Sequence, residues 1–262
     1  MTSSKLHPRH LEWEGTINAR DSGGLRAGTG VVRDGALVRS DVLNGLTPAG
    51  VDALTEHGVR TVIDVRGPTE AADDWDRYPI KGDGTVGYLN RPFRTGLKPE
   101  RLEHVHAVYR DAQSREELNR ADLDYNQPGI AGIVGAIADA PPGGVLVHCH
   151  AGKDRTGMVM ALALAAVGVS DEDIADDYAL TQLVLDQIMN EWLKEIGVTD
   201  EQERERLMRL GNPSREAMLD TLAYLRHRYG GAERYLLDGG MTSEQLQRLR
   251  ARLVDAKGEG VA

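Results

Sequence analysis

The sequence predicts an α/β fold, a central and mainly parallel sheet flanked by helices, continued by a largely helical C-terminal half. Three observations predict it. Short apolar runs of strand composition at 60–65, 86–90 and 145–148 alternate with helix-like segments at 48–56, 99–111 and 128–139. Strand signals stop after Val169, where capped, charged and amphipathic segments follow one another to the C-terminal region. The length of 262 residues and a hydrophobic content of 40% suffice for one large core, so residues 1–262 are read as a single domain.

The elements follow in chain order. Residues 31–39 read as a hairpin turning at Asp34-Gly35. Thr47-Pro48 opens a helix through Glu56, with proline at the first helical position, where its missing N–H is not needed. Residues 60–65 form a buried strand, 86–90 another and 99–111 an amphipathic helix, and the helix at 128–139 stops before Pro141-Pro142. Strand 145–148 runs into a glycine-bearing loop and then the apolar helix-forming run 158–167. Ser170 caps a segment reaching Ile196, 200–210 is short and charged, 214–229 is amphipathic and 242–255 is the last helix.

The chemistry concentrates in the strand-to-helix loop His148-Cys149-His150-Ala151-Gly152-Lys153-Asp154-Arg155-Thr156-Gly157, which holds the only cysteine of the chain. A loop entering a helix aims backbone N–H groups and the positive end of the macrodipole at one point, where an oxyanion can sit. The same setting favours a thiolate, because helix N-termini and nearby cations lower thiol pKa to roughly 3.5–7.5. Five residues separate Cys149 from Arg155, so the loop can curl with sulfur as its floor and a planar guanidinium closing over phosphoryl oxygens. Thr156 brings a hydroxyl that can hydrogen-bond the sulfur, and Gly152 and Gly157 permit close approaches that a Cβ would block. A Cys and an Arg at this distance arise by chance in about one chain in ten, whereas the full string arises in roughly one in a million.

The string His148 to Gly157 resembles the signature loop of the cysteine-dependent protein tyrosine phosphatase superfamily, in the Gly-Lys-Asp-Arg form of the bacterial group that includes mycobacterial protein tyrosine phosphatase B. Asn18-Ala19-Arg20-Asp21-Ser22-Gly23-Gly24, Leu37-Val38-Arg39-Ser40, Asp64-Val65-Arg66 with Glu70, and the stretch Tyr229 to Leu236 are similar to further patterns of that group. The resemblance implies a protein tyrosine phosphatase-like fold and hydrolysis of phosphate monoesters through a phosphocysteine, without metal or other cofactor. Phosphotyrosine on protein is the leading substrate, with phosphoserine, phosphothreonine and phosphoinositides as additional ones. It also implies that helices within 171–213 form a mobile lid, with Met189, Trp192 and Leu193 facing the pocket.

In that reading Cys149 attacks phosphorus, Arg155 and the loop amides stabilise the transition state, and Thr156 assists breakdown of the intermediate. The general acid is open between two carboxylates, because the segment 88–96, where relatives carry an aspartate, contains none. Asp154 is preferred because the chain itself holds it beside the loop, and Asp64 depends on tertiary placement. Asp73, Asp74 and Asp76 lie in a polar stretch and are expected to be solvated. His148 is expected to orient the Cys149 backbone, while His150 either lines the pocket mouth or faces solvent. Ala151, Gly152 and Gly157 belong to the phosphate-binding set. Lys153 adds a second cation suited to further phosphates. A net charge of −10 requires the positive pocket to be local, with Arg20 and Arg66 joining Lys153 and Arg155.

The same composition bounds the alternatives. The acidic balance argues against nucleic-acid binding, and one cysteine cannot build an internal disulfide framework, which fits a reducing, cytoplasmic setting. No apolar stretch approaches a membrane span, and residues 1–10 lack a signal-like core, so no stable membrane insertion is expected. The resemblance raises unconventional export. His148 and His150 alternate around a phosphate loop and lack the further ligands zinc needs. A slow phosphate-recognition module and a sulfur transferase remain as rival classes.

Overall fold

The computed structural model describes residues 7–73, 75–80, 84–95 and 99–255. Its strands are β1 (Arg20–Asp21), β2 (Arg26–Ala27), β3 (Gly30–Val32), β4 (Leu37–Ser40), β5 (Val59–Asp64), β6 (Gly87–Asn90), β7 (Gly144–His148) and β8 (Val254–Asp255). Five of them form the main sheet in the order β1-β4-β7-β5-β6. Only the edge pair β1 and β4 is antiparallel; β4, β7, β5 and β6 run parallel, as the sequence leads one to expect.

β7 is the centre because its Val145-Leu146-Val147 core is fully buried on both faces. Val145 and Val147 join Leu37 and Ile63 in the larger core, while Leu146 joins Val38 and Val62 in the smaller one, the two-residue period of a strand. Each such side chain contributes roughly 1.5–3 kcal/mol on burial. The larger core packs against α4 (Arg115–Asp139), α5 (Asp154–Ala166), α9 (Arg215–Tyr229), α10 (Ala232–Asp238) and α11 (Ser243–Leu253). The smaller core lies under Trp13, Leu43, Leu54 and Tyr78, with Leu54 coming from α1 (Pro48–Glu56). The remaining helices are α2 (Pro68–Asp73), α3 (Pro99–Asp111), α6 (Asp171–Ala179), α7 (Leu185–Glu195) and α8 (Glu201–Gly211).

Register places the site. His148, the last residue of β7, is opposite Ser40 of β4 on one side and Asp64 of β5 on the other. The chain therefore leaves the sheet at the carboxyl ends of its central strands, where such sheets bind ligands.

Four expectations need correction. The hairpin over 31–39 does not form: the chain turns at Gly35 (φ 71°), but β3 pairs with β2 and β8 while β4 pairs with β1 and β7. A four-residue strand buried at every position is better satisfied inside the main sheet than beside a short neighbour. The helix at 128–139 is the second part of α4, which begins at Arg115 under a Ser114 cap and bends at Asn126, two residues before Pro128. The segment 170–196 divides into α6, a 3₁₀ turn over Leu180–Val184, and α7. The last helix ends at Leu253, and Val254–Asp255 pairs with β3 as a strand that local propensity does not announce.

Candidate active site

α5 begins at Asp154, so only the stretch from Cys149 to Lys153 is loop and Arg155 to Gly157 already belong to the first helical turn. Gly152 makes this short path possible. Its φ is 63°, and a Cβ there would lie 2.4 Å from the Ser40 carbonyl oxygen. The loop carbonyls are held on its outer side: Asn18 Nδ2 donates to Ala151 O at 2.9 Å, Arg39 NH2 to Gly152 O at 2.7 Å, and the Val42 amide to His150 O at 2.8 Å. Cys149, His150, Ala151 and Lys153 of this loop border a cavity.

That cavity measures about 660 Å³. Cys149, 3% exposed, is among the residues lining it, with Glu70, Arg115, Lys153, Asp154 and Arg155. Ile188, Met189 and Trp192 of α7 and Leu207 and Leu210 of α8 supply an apolar side. His150 and Ala151 line the cavity, and His150 lies 3.7 Å from Glu195 at the end of α7.

Charge is arranged in pairs around this space. Arg155 is held by Glu70, with NH1 and NH2 donating at 2.7 and 3.0 Å. Burial pushes the Glu70 carboxyl up, but Arg155, together with Arg66 and the Gly67 amide, holds it below its ordinary range. Asp154 lies 3.2 Å from Arg115 and 3.7 Å from Lys153. Burial pushes its carboxyl up, and Arg115, Lys153 and Arg155 together hold it below the usual carboxylate value. Both flanking cations also reach the C-terminal end of α8: Lys153 Nζ donates to Gly211 O at 2.6 Å and Arg115 Nε to Leu210 O at 2.6 Å. Lys153 thus lines the cavity with its ammonium turned to the end of α8, rather than standing free as a second phosphate ligand.

A second set of charges supports the loop from behind. Asp177 of α6, 2% exposed, accepts from Arg9 at 2.7 Å and Arg39 at 3.1 Å, and Arg20 Nε lies 3.6 Å away. Burial pushes the Asp177 carboxyl up, yet these guanidiniums bring it down to about 2. Arg20 also donates to Asn18 Oδ1, Asp177 O and Thr181 Oγ1.

The structure brings Cys149, His150, Ala151, Lys153, Asp154 and Arg155 to the cavity wall, with Gly152 shaping the loop. Gly157 is there for packing: a Cβ would lie 2.7 Å from the Tyr178 ring. Thr156 is fully buried, and its Oγ1 has no hydrogen-bond partner among the described residues. Arg20, Asp64 and Arg66, expected to contact substrate, stand back from this cavity. All three are buried and none lines the cavity, because Arg66 is closed onto Asp64 at 2.9 Å and Arg20 is spent on the Asn18 and Asp177 network. Met189 and Trp192 face the cavity, but Leu193 is buried away from it. Asp73 and Asp76 are exposed, and Asp74 lies outside the described residues.

Glu70, Arg115, Arg39 and Asp177 were not assigned a place in the site from sequence. Arg39 and Glu70 sit in recognisable motif segments, a signal that could have found them. Arg115 and Asp177 carry none, since their partners are 39 and 138 positions away in the chain.

A sequence profile described as the tyrosine phosphatase family matches residues 11–255. A tyrosine-protein phosphatase of Nostoc commune is 31% identical over 225 residues, covering 84% of this chain and 75% of that protein. The triple specificity protein phosphatase PtpB of Mycobacterium tuberculosis is 31% identical over 172 residues, covering 56% of this chain and 61% of that protein.

Proposed function

This chain belongs to the tyrosine phosphatase family and is a protein-tyrosine phosphatase, and we propose that it works through a phosphocysteine formed on Cys149. The observation that carries the mechanism is the placement of Cys149 and of Arg155, steered by Glu70, around one cavity at a helix N-terminus. The Cys149 thiolate attacks phosphorus and the phosphorus–oxygen ester bond breaks, its electron pair leaving with the phenoxide. Asp154 gives that oxygen a proton. Water then attacks the phosphocysteine, Asp154 takes a proton from it, and the phosphorus–sulfur bond breaks to restore the thiolate. Arg155 and the loop N–H groups hold the equatorial oxygens throughout, and the buried Thr156 hydroxyl, which has no partner among the described residues, donates to the leaving sulfur as the intermediate breaks down.

Position favours Asp154 over Asp64. Asp154 lines the cavity, whereas Asp64 is fully buried and closed by Arg66. Arg155, one of the cations that keep Asp154 ionised, is the group a phosphoryl dianion would engage, and the dianion itself favours the protonated acid. Phosphotyrosine on protein is the principal substrate. Phosphoserine, phosphothreonine and phosphoinositides are further ones, supported by the triple specificity of the mycobacterial relative's name and by the apolar side formed by α7 and α8. We read those two helices as a lid and the chain as one cytoplasmic domain; no described helix is long and apolar enough to cross a membrane.

Hydrolysis of p-nitrophenyl phosphate in excess chelator tests the reading. Wild type should turn over, and Cys149→Ser should not. Asp154→Asn should slow alkyl phosphates, which have poor leaving groups, far more than aryl phosphates. An inactive wild type would favour a recognition module, activity in Cys149→Ser would remove the phosphocysteine, and a leaving-group effect confined to Asp64→Asn would reverse the acid assignment.

A further inference from the structure

We infer that Tyr78 is a positioning residue for Cys149: its phenol locks His148 in one neutral tautomer, and that tautomer pins the Cys149 carbonyl at the start of the phosphate loop. The inference rests on the reading of Cys149 as nucleophile.

His148 is fully buried at the end of β7, with Nδ1 2.9 Å from the Cys149 carbonyl oxygen. A carbonyl only accepts, so the proton of that contact is on Nδ1. In a neutral imidazole Nε2 is then a bare acceptor. The Tyr78 hydroxyl lies 2.7 Å from Nε2 and can donate to it. Tyr78 is itself 2% exposed, with its ring stacked at 5.9 Å and 27° on the imidazole.

The rival state would put a proton on Nε2 and aim it at Asp64, whose Oδ2 lies 3.8 Å away. Asp64 is already satisfied by other donors. The Arg66 backbone N–H and guanidinium reach it at 2.9–3.1 Å, and the Tyr88 hydroxyl donates at 3.0 Å. Two phenols therefore divide the work, Tyr88 filling the carboxylate and Tyr78 filling the imidazole lone pair. The charges around the ring are Asp64, Arg66 and Arg155, and burial is the largest influence, holding the His148 pKa below its ordinary value and the ring neutral.

The consequence runs into the loop. Remove the Tyr78 hydroxyl and Nε2 becomes a buried acceptor without a donor, which is unfavourable. Moving the proton from Nδ1 to Nε2, toward Asp64, relieves this. It also points a lone pair at the Cys149 carbonyl, and two facing acceptors repel. The first peptide of the loop then loses its anchor, and with it the aim of the Cys149 side chain and of the amide that follows.

Long-range proton–nitrogen correlation on full-length protein labelled with ¹⁵N-histidine distinguishes Nδ1–H from Nε2–H, with His148 assigned from the His148→Asn spectrum. Wild type should show His148 as neutral Nδ1–H. Tyr78→Phe, which keeps the stacked ring, should show the Nε2–H form and lose about tenfold in kcat/KM on p-nitrophenyl phosphate. A wild-type His148 found as Nε2–H or imidazolium overturns the inference, whether or not the variant folds. So does a Tyr78→Phe protein that keeps Nδ1–H, at whatever activity. Hydrolysis absent in wild type would count against the phosphatase mechanism, whereas the tautomer reports on Tyr78 and His148 alone.

Discussion

Arg155 and Glu70 meet end to end, NH1 to Oε2 at 2.7 Å and NH2 to Oε1 at 3.0 Å. The pair uses the tip of the guanidinium and leaves its Nε side for an anion, so Glu70 aims the arginine without consuming all its donors. Glu70→Ala should lower kcat on aryl phosphates by about 10–100-fold, a barrier increase of about 1.4–2.7 kcal/mol. Steady-state kinetics at saturating substrate check this. An unchanged kcat would mean that the loop alone orients Arg155.

The end of α8 is capped by the two cations that flank Asp154. Lys153→Met keeps the stem and removes the donor to Gly211 O, which exposes the carbonyl end of α8. Amides of α8 should then exchange on the order of tenfold faster, following the loss of about 1.5 kcal/mol for a charged hydrogen bond. Hydrogen exchange read by mass spectrometry provides the check, and equal rates in the two proteins would show that apolar packing alone docks the helix.

Asp177 makes part of the stability depend on acid. Its folded pKa of about 2 lies below the ordinary 3.8, so its contribution is present above pH 4 and fades as pH falls from 4 to 2. The shift corresponds to about 2 kcal/mol. Asp177→Asn, which leaves Arg9, Arg20 and Arg39 without their shared carboxylate, should cost about 3–5 kcal/mol at pH 7. Urea unfolding at pH 7 and pH 3 should show the difference between wild type and variant shrinking in acid; a constant difference would disconnect it from the titration.

Asp122 works in the opposite sense. Burial, with a smaller push from Asp154, raises its carboxyl to about 7 against the pull of Arg94 and Arg155. The native state thus holds a proton that the unfolded chain releases near pH 4, and stability falls as pH rises from 4 to 7, by roughly 4 kcal/mol in all. Asp122→Asn keeps an acceptor for the Tyr109 hydroxyl and removes the titration. The variant should gain on wild type between pH 5 and pH 8 in denaturant titrations, and parallel pH profiles would refute the assignment.

What could be read from the chain alone follows from how far each interaction reaches. Cys149, Gly152, Arg155 and the start of α5 fall within a few residues, so backbone geometry places them together once a strand feeds a helix. Val145-Leu146-Val147 likewise declares a central strand by composition. The hairpin expected over 31–39 does not form because local turn chemistry marks where a chain bends and not which neighbour a strand takes; β4 finds its partner in β7, more than a hundred residues away.

The sequence by itself determined a lone cysteine and an arginine on one strand-to-helix loop of an α/β sheet, because those features are set by short-range covalent geometry and hydrophobic period. Only the tertiary structure decided that Asp154 reaches the cavity while Asp64 is sealed by Arg66, that Glu70 aims Arg155, and that Arg39 and Asp177 hold the loop from behind. The physical reason is that charge pairing and burial act through space, between groups whose separation in the chain leaves no local pattern to read.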